Sequence, residues 1–167
     1  MPIVKEQMLD IISQSEAQTR RLGARLAELL LPGDVIALVG GLGTGKTRFA
    51  QGVGQGLGVK ETITSPTFTL VQEYRGPRIR IPFFHVDLYR IENAAETLTF
   101  GLDEYLYGDG VCLIEWADRL GSSHLPDEHL WISFRHLDRS KRVLLMQPQG
   151  KRYEQLLKDF RRQAYGV

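Results

Sequence analysis

The sequence predicts an α/β sandwich of three layers, with a mixed, mainly parallel central sheet and antiparallel hairpin strands. Three observations carry that expectation. A continuous apolar run, Val35–Val39, passes into glycines and then into helical sequence, the strand–loop–helix order of a parallel unit. A second apolar run, Val111–Ile114, ends in an acid, Glu115. Two pairs of strand-like segments, 67–74 with 79–86 and 130–137 with 143–146, are each divided by a turn.

Along the chain, Ser13 and Glu16 have capping-box spacing and open a helix over 16–31, where Leu22, Leu26, Leu29 and Leu30 recur at helical spacing. Pro32-Gly33-Asp34 ends it. After the first strand, Lys46 opens a second helix that runs to Leu57. Its Gly52, Gly54 and Gly56 each cost roughly 1 kcal/mol relative to Ala. They either permit close packing on the sheet or let the helix fray early. Arg75-Gly76-Pro77 turns the chain, and Pro82 makes the start of the next strand an edge or a bend. Helical sequence follows over 92–100 and 102–107, then the strand 111–115. Asp138-Arg139-Ser140 turns the terminal hairpin, and 153–162 forms a last helix.

The 167 residues suit one domain, with a core over about 13–150 and a helical tail over 151–167. Hydrophobic content is 43% and charged content 25%, ordinary for a globular protein. With 21 Lys plus Arg against 20 Asp plus Glu, the net charge is +1, so there is no broad footprint for DNA, RNA or an anionic membrane. The small basic spots, Arg20-Arg21, Arg139–Arg142 and Arg161-Arg162, read as solvated surface. The one cysteine, Cys112, lies in an apolar run and reads as a core residue, which excludes an internal disulfide framework. There is no apolar run near bilayer length and no secretory start, so the expected location is cytoplasmic.

Gly40-Gly41-Leu42-Gly43-Thr44-Gly45-Lys46-Thr47 fits G-x-x-x-x-G-K-[ST], the P-loop. Glycines let the backbone curl so that successive N–H groups point at phosphate oxygens. The helix that begins there adds the positive end of its dipole. Lys46 reaches the β- and γ-phosphates as a point charge, and the Thr47 hydroxyl completes Mg²⁺ coordination. The expected ligands are therefore ATP and Mg²⁺. The dinucleotide pattern G-x-G-x-x-G is not in register.

Such a site needs a second acid at the end of a neighbouring strand. Glu115 and Asp87, which closes Phe83-Phe84-His85-Val86, both qualify. Glu115 is the better metal partner, direct or through water. Asp87 suits holding metal-bound water or orienting the attacking water. Thr64-Ser65-Pro66-Thr67 lies where P-loop switches place a threonine that senses the γ-phosphate; the plainer reading is a capped turn. His85 reads as a packed or hydrogen-bonded histidine. His124, His129 and His136 lack metal-ligand spacing. Trp116 is core or contact surface.

Together, the glycine loop, Ser65-Pro66-Thr67-Phe68-Thr69-Leu70-Val71, His85-Val86-Asp87-Leu88-Tyr89-Arg90 and Leu113-Ile114-Glu115-Trp116 resemble the TsaE (YjeE) family over about Ser13 to Met146. The resemblance implies a P-loop ATPase needed for threonylcarbamoyladenosine in tRNA. It implies that Lys46 and Thr47 bind phosphate and metal, that Glu115 is the Walker B-type metal residue, that Thr67 is the switch-like threonine and that Asp87 serves hydrolysis. Trp116 would act near the nucleotide or at a partner surface. The family acts on tRNA indirectly, through the TsaD–TsaB pair that transfers the threonylcarbamoyl group, with ATP hydrolysis thought to reset that complex. Gly41, Thr44, Arg48 and Ala117 depart from the usual family residues without removing a phosphate or metal group.

The main alternative is a small-molecule P-loop kinase, which would need an acceptor pocket and an arginine-bearing lid; no lid insertion is visible between these short, patterned segments. A GTPase is disfavoured, since the only asparagine, Asn93, is not in an Asn-Lys-x-Asp string. A nucleotide-gated binding module with negligible turnover overlaps the ATPase reading.

Overall fold

The computed structural model describes residues 7–66, 70–121 and 124–166. Seven strands form one sheet: β1 (Leu9–Ser13), β2 (Val35–Val39), β3 (Val71–Tyr74), β4 (Phe83–Asp87), β5 (Val111–Glu115), β6 (His129–His136) and β7 (Arg142–Gln149), in the order β1-β7-β6-β2-β5-β4-β3. The four central strands, β6-β2-β5-β4, run parallel. The strands at both edges, β1, β7 and β3, pair antiparallel. The centre is nearly all apolar because both of its faces are covered. On one face lie α1 (Glu16–Ala27), α2 (Lys46–Leu57) and α4 (Lys151–Tyr165), packed over Leu38, Leu113, Ile132 and Leu144. On the other, the short α3 (Leu102–Leu106) and the 3₁₀ turns Ala94–Phe100 and Ala117–Leu120 cover Val35, Val86 and Cys112. Cys112 is buried on β5, as its run predicts, and burial pushes its thiol far up.

Several expectations shift. The chain before α1 forms strand β1, paired with β7, and Ser13 closes it. Ser15, not Ser13, caps α1: its hydroxyl accepts the Gln18 N–H at 3.1 Å. Ser13 instead bonds the Thr19 hydroxyl at 2.7 Å. Helix α1 ends at Ala27 rather than Leu31, in turns bonding Leu29 and Leu30 back to Leu26 and Ala27. The fourth strand begins at Phe83 rather than Ile79, because Arg80 N–H is spent on Leu57 O and Pro82 has no donor. Residues 67–69 of the expected third strand lie outside the described residues. Of the 92–100 segment, Ala94–Phe100 is 3₁₀ rather than α-helical, and Glu92 and Asn93 lie outside it.

The glycines of α2 resolve between the two readings: the helix runs its full length. A Cβ at Gly52 would lie 1.9 Å from Arg20 O, and one at Gly56 2.6 Å from the Ala27 side chain. A Cβ at Gly54 would meet Ile63 on the opposite side. Two of the three thus face α1, not the sheet, and α1 answers with its own Gly23, where a Cβ would meet Phe49 O at 2.3 Å. The pair of helices packs backbone against backbone, and this fixes where α2 begins.

Candidate functional site

Strand β2 is central and parallel to both neighbours, so its carboxyl end opens between β5 and β6, where α/β sheets bind ligands. The loop Gly40–Gly45 leaves that end. Gly40 (φ 147°), Gly43 (72°) and Gly45 (104°) adopt backbone angles that side chains resist. Gly40 is also pinned sterically, since a Cβ there would lie 2.5 Å from Phe134 O on β6. Space is open above Gly41 and Gly43. The Thr44 hydroxyl donates to Gly41 O at 2.8 Å, closing the curl, while Leu42 projects to solvent.

Helix α2 starts at Lys46 with Gly45 as its N-cap, and no side chain caps its first turn. Lys46 is 5% exposed; its Nζ donates to Gly40 O at 2.5 Å and Gly41 O at 2.8 Å and lies 4.1 Å above the Trp116 ring. Burial lowers its ammonium from the usual lysine value, while Glu115, Asp87 and Asp118 push it back up. One residue on, the Thr47 hydroxyl donates to Glu115 Oε1 at 2.9 Å and sits 2.8 Å from the Ser65 hydroxyl. Since the carboxylate only accepts, Ser65 donates to Thr47.

Glu115 ends β5 and Asp87 ends β4, directly opposite in the parallel register. Both are buried. Burial, followed by the charge of Glu115, raises the Asp87 carboxyl above its ordinary value; the Tyr89 N–H, received at 2.9 Å, and the nearby His85 and Lys46 oppose that rise. Two carboxylates facing each other beside an ammonium ask for a further cation. Thr47, Ser65, Glu115 and Asp87 offer only hard oxygen donors, which suit Mg²⁺. Among the described residues there is no cluster of three His, Cys, Asp or Glu that could hold a metal.

These groups line one cavity of about 580 Å³. Its lining includes Leu42–Thr47, Ser65, Asp87, Glu115 and Trp116, all singled out in the sequence. Thr67 lies outside the described residues. The three other histidines stay out of the cavity lining, while His85 meets Glu115.

The sequence reading gave several neighbours of Trp116 and of the loop no part in the site. Trp116 adopts a left-handed backbone (φ 60°), a strain of order 1–2 kcal/mol that turns its indole over Lys46. Tyr89 packs against it with ring centroids 5.0 Å apart, and the Arg119 guanidinium lies 5.4 Å from the Trp116 ring. Arg142, read as solvated surface, donates to Gly43 O at 3.2 Å and so ties the β6–β7 turn to the loop. Glu16 and Arg48, both in the cavity lining, form an ion pair at 3.3 Å. Tyr89 stood inside a motif, which was signal enough. For Arg142 no local signal exists, because the contact spans 99 residues.

The family model "Threonylcarbamoyl adenosine biosynthesis protein TsaE" matches residues 13–144. The chain is 41% identical over 145 residues to the tRNA threonylcarbamoyladenosine biosynthesis protein TsaE of Bacillus subtilis, covering 87% of this chain and 89% of that one. It is 43% identical over 126 residues to the protein of the same name from Treponema pallidum, covering 75% of this chain and 90% of that one. The crystal structure of Bacillus subtilis YdiB superposes with a TM-score of 0.83 at 33% identity, over 98% of this chain and 99% of that chain.

Proposed function

This chain belongs to the TsaE family, and we propose that it is a Mg²⁺-dependent ATPase serving threonylcarbamoyladenosine formation in tRNA. In this reading it hydrolyses ATP to cycle a TsaD–TsaB-type complex. It meets tRNA through those partners, without a DNA or membrane role of its own, and works in the cytoplasm as a single domain. Among the described residues, no helix is long and apolar enough to cross a membrane.

The observation that carries the ATPase reading is the contact of Thr47 Oγ1 with Glu115 Oε1 at 2.9 Å, directly after Lys46. It joins the start of the loop's helix to the acid of the adjacent strand, the two protein groups a P-loop site needs for its metal. When bound, Mg²⁺ would supply charge neutralisation on the β- and γ-phosphates. Thr47 and Glu115 would hold it. Lys46 leaves the Gly40 and Gly41 carbonyls to meet the phosphate oxygens, and the loop N–H groups share their charge. Asp87 orients the attacking water in line with the leaving oxygen, and Thr67 keeps the role of the switch-like threonine that the family resemblance implies. Trp116 holds Lys46 in place and faces a partner.

The test is phosphate release from Mg·ATP by the protein alone, then with TsaD–TsaB, with and without tRNA. Release that rises with the partners supports the reading. Indifference to the partners, with phosphate passed to a small metabolite, would replace it with the kinase.

A further inference from the structure

One buried group has no place in the scheme above. His85 lies on β4 two residues before Asp87 and is fully enclosed. Its Nε2 sits 2.6 Å from Glu115 Oε2. Its Nδ1 is equally buried and has no hydrogen-bond partner. Since the Glu115 carboxylate accepts, Nε2–H donates that bond, and it is the one hydrogen bond the ring makes.

That single bond explains why a histidine stands there. Phe83 stacks alongside it at 6.0 Å, and an apolar side chain would fill the same space without an unsatisfied nitrogen. The bond also uses up one of the two Glu115 oxygens. The other accepts from Thr47, and the Thr47 hydroxyl accepts from Ser65. His85, Glu115, Thr47 and Ser65 thus form one chain that crosses from β4 through β5 to α2 and on to the segment after it. Remove its buried anchor and the carboxylate is free to rotate about its last torsion, which is broad and only two-fold.

We propose that His85 is the positioning residue for Glu115: its Nε2–H fixes Oε2 so that Oε1 is held toward Thr47 and the metal position. This rests on the reading of the cavity as a Mg·nucleotide site. It predicts a defect in metal affinity rather than in nucleotide affinity, because His85 touches neither the loop nor the phosphate position. Loss of an outer partner of a metal-binding carboxylate typically weakens the metal by about 10- to 100-fold.

The experiment is a titration of nucleotide binding by calorimetry, over a series of Mg²⁺ concentrations and in chelator, on wild type, His85→Leu and His85→Gln. His85→Leu fills the space without a donor; His85→Gln restores an N–H near Nε2. His85→Leu is expected to raise the Mg²⁺ needed for half-maximal enhancement by about tenfold or more. Chelator-state affinity should stay unchanged, and His85→Gln should recover most of the Mg²⁺ response. A His85→Leu protein with the wild-type Mg²⁺ requirement overturns the proposal. So does a His85→Gln protein as impaired as His85→Leu, or a loss of chelator-state binding equal to the loss in Mg²⁺. If wild-type binding ignores Mg²⁺ altogether, the site reading falls first and this inference with it.

Discussion

Strand β2 has buried polar groups at both of its ends, and the two sets are partnered very differently. At the amino end, Asp34 Oδ1 accepts from Arg152 Nε at 3.0 Å, and Oδ2 accepts from Arg152 at 2.7 Å and from Leu31 N–H at 2.8 Å. Arg152 also donates to Leu29 O, and the Tyr153 hydroxyl accepts the Val35 N–H at 2.8 Å. Charge meets charge in a two-pronged fork, and α4 is clamped to the sheet. At the carboxyl end, Asp87 receives one backbone N–H, Lys46 holds two carbonyls and the face of Trp116 but no carboxylate, and two acids face each other. Like residue types therefore do opposite things. The closed set stabilises, while the open set leaves buried charge without full partners at some cost to the fold, the pattern the proposed nucleotide site calls for.

The largest effect should come from Lys46→Ala. Phosphate release in the presence of partners should fall by at least about 10²–10³-fold. The urea midpoint should hold or rise, since a buried cation is removed; an activity loss tracked by an equal stability loss would erase the contrast. At the other end, Asp34→Ala strands the Arg152 guanidinium and should cost about 3 kcal/mol in urea unfolding with nucleotide affinity kept. Tyr153→Phe is smaller, about 1–2 kcal/mol, from the Val35 N–H left without its acceptor. Burial pushes the Tyr153 hydroxyl up to about 12, so that loss should be flat across neutral pH.

The most delicate test is Asp87→Asn. With its folded value raised above 3.8, Asp87 binds its proton more tightly folded than unfolded. Its contribution thus favours the fold at low pH and is lost as pH rises from 3.8 through the raised value. The stability of Asp87→Asn relative to wild type should therefore climb over that window, while hydrolysis is impaired and nucleotide binding largely kept. A relative stability that falls with pH would mean that a cation partner holds the Asp87 carboxylate in its charged form.

The open end was legible in the sequence because its chemistry is local: eight consecutive residues make the loop, and Asp87 and Glu115 each close an apolar run. The parallel centre followed from the same runs. Strand β1 was not legible, since its partner β7 lies some 130 residues on and the LDIIS string is short. Asp34 read only as part of a helix-ending turn, because Arg152 is 118 residues away. The capping error has a similar origin: Ser13 and Ser15 are both good caps, and only the pairing of Ser13 into β1 decides between them.

The bare first turn of α2 has a consequence for how the protein senses its ligand. Helix α1 carries its own cap, Ser15, with Glu16 beside it. Helix α2 begins at a glycine with neither cap nor acid in its first turn. Its missing terminus must be lent from solution, and any tight anion there finishes the helix as it binds. Occupancy is thus written into the folding equilibrium itself: the protein should melt later in proportion to the logarithm of free nucleotide, so that the cell's phosphate charge doubles as a stabiliser of the chain.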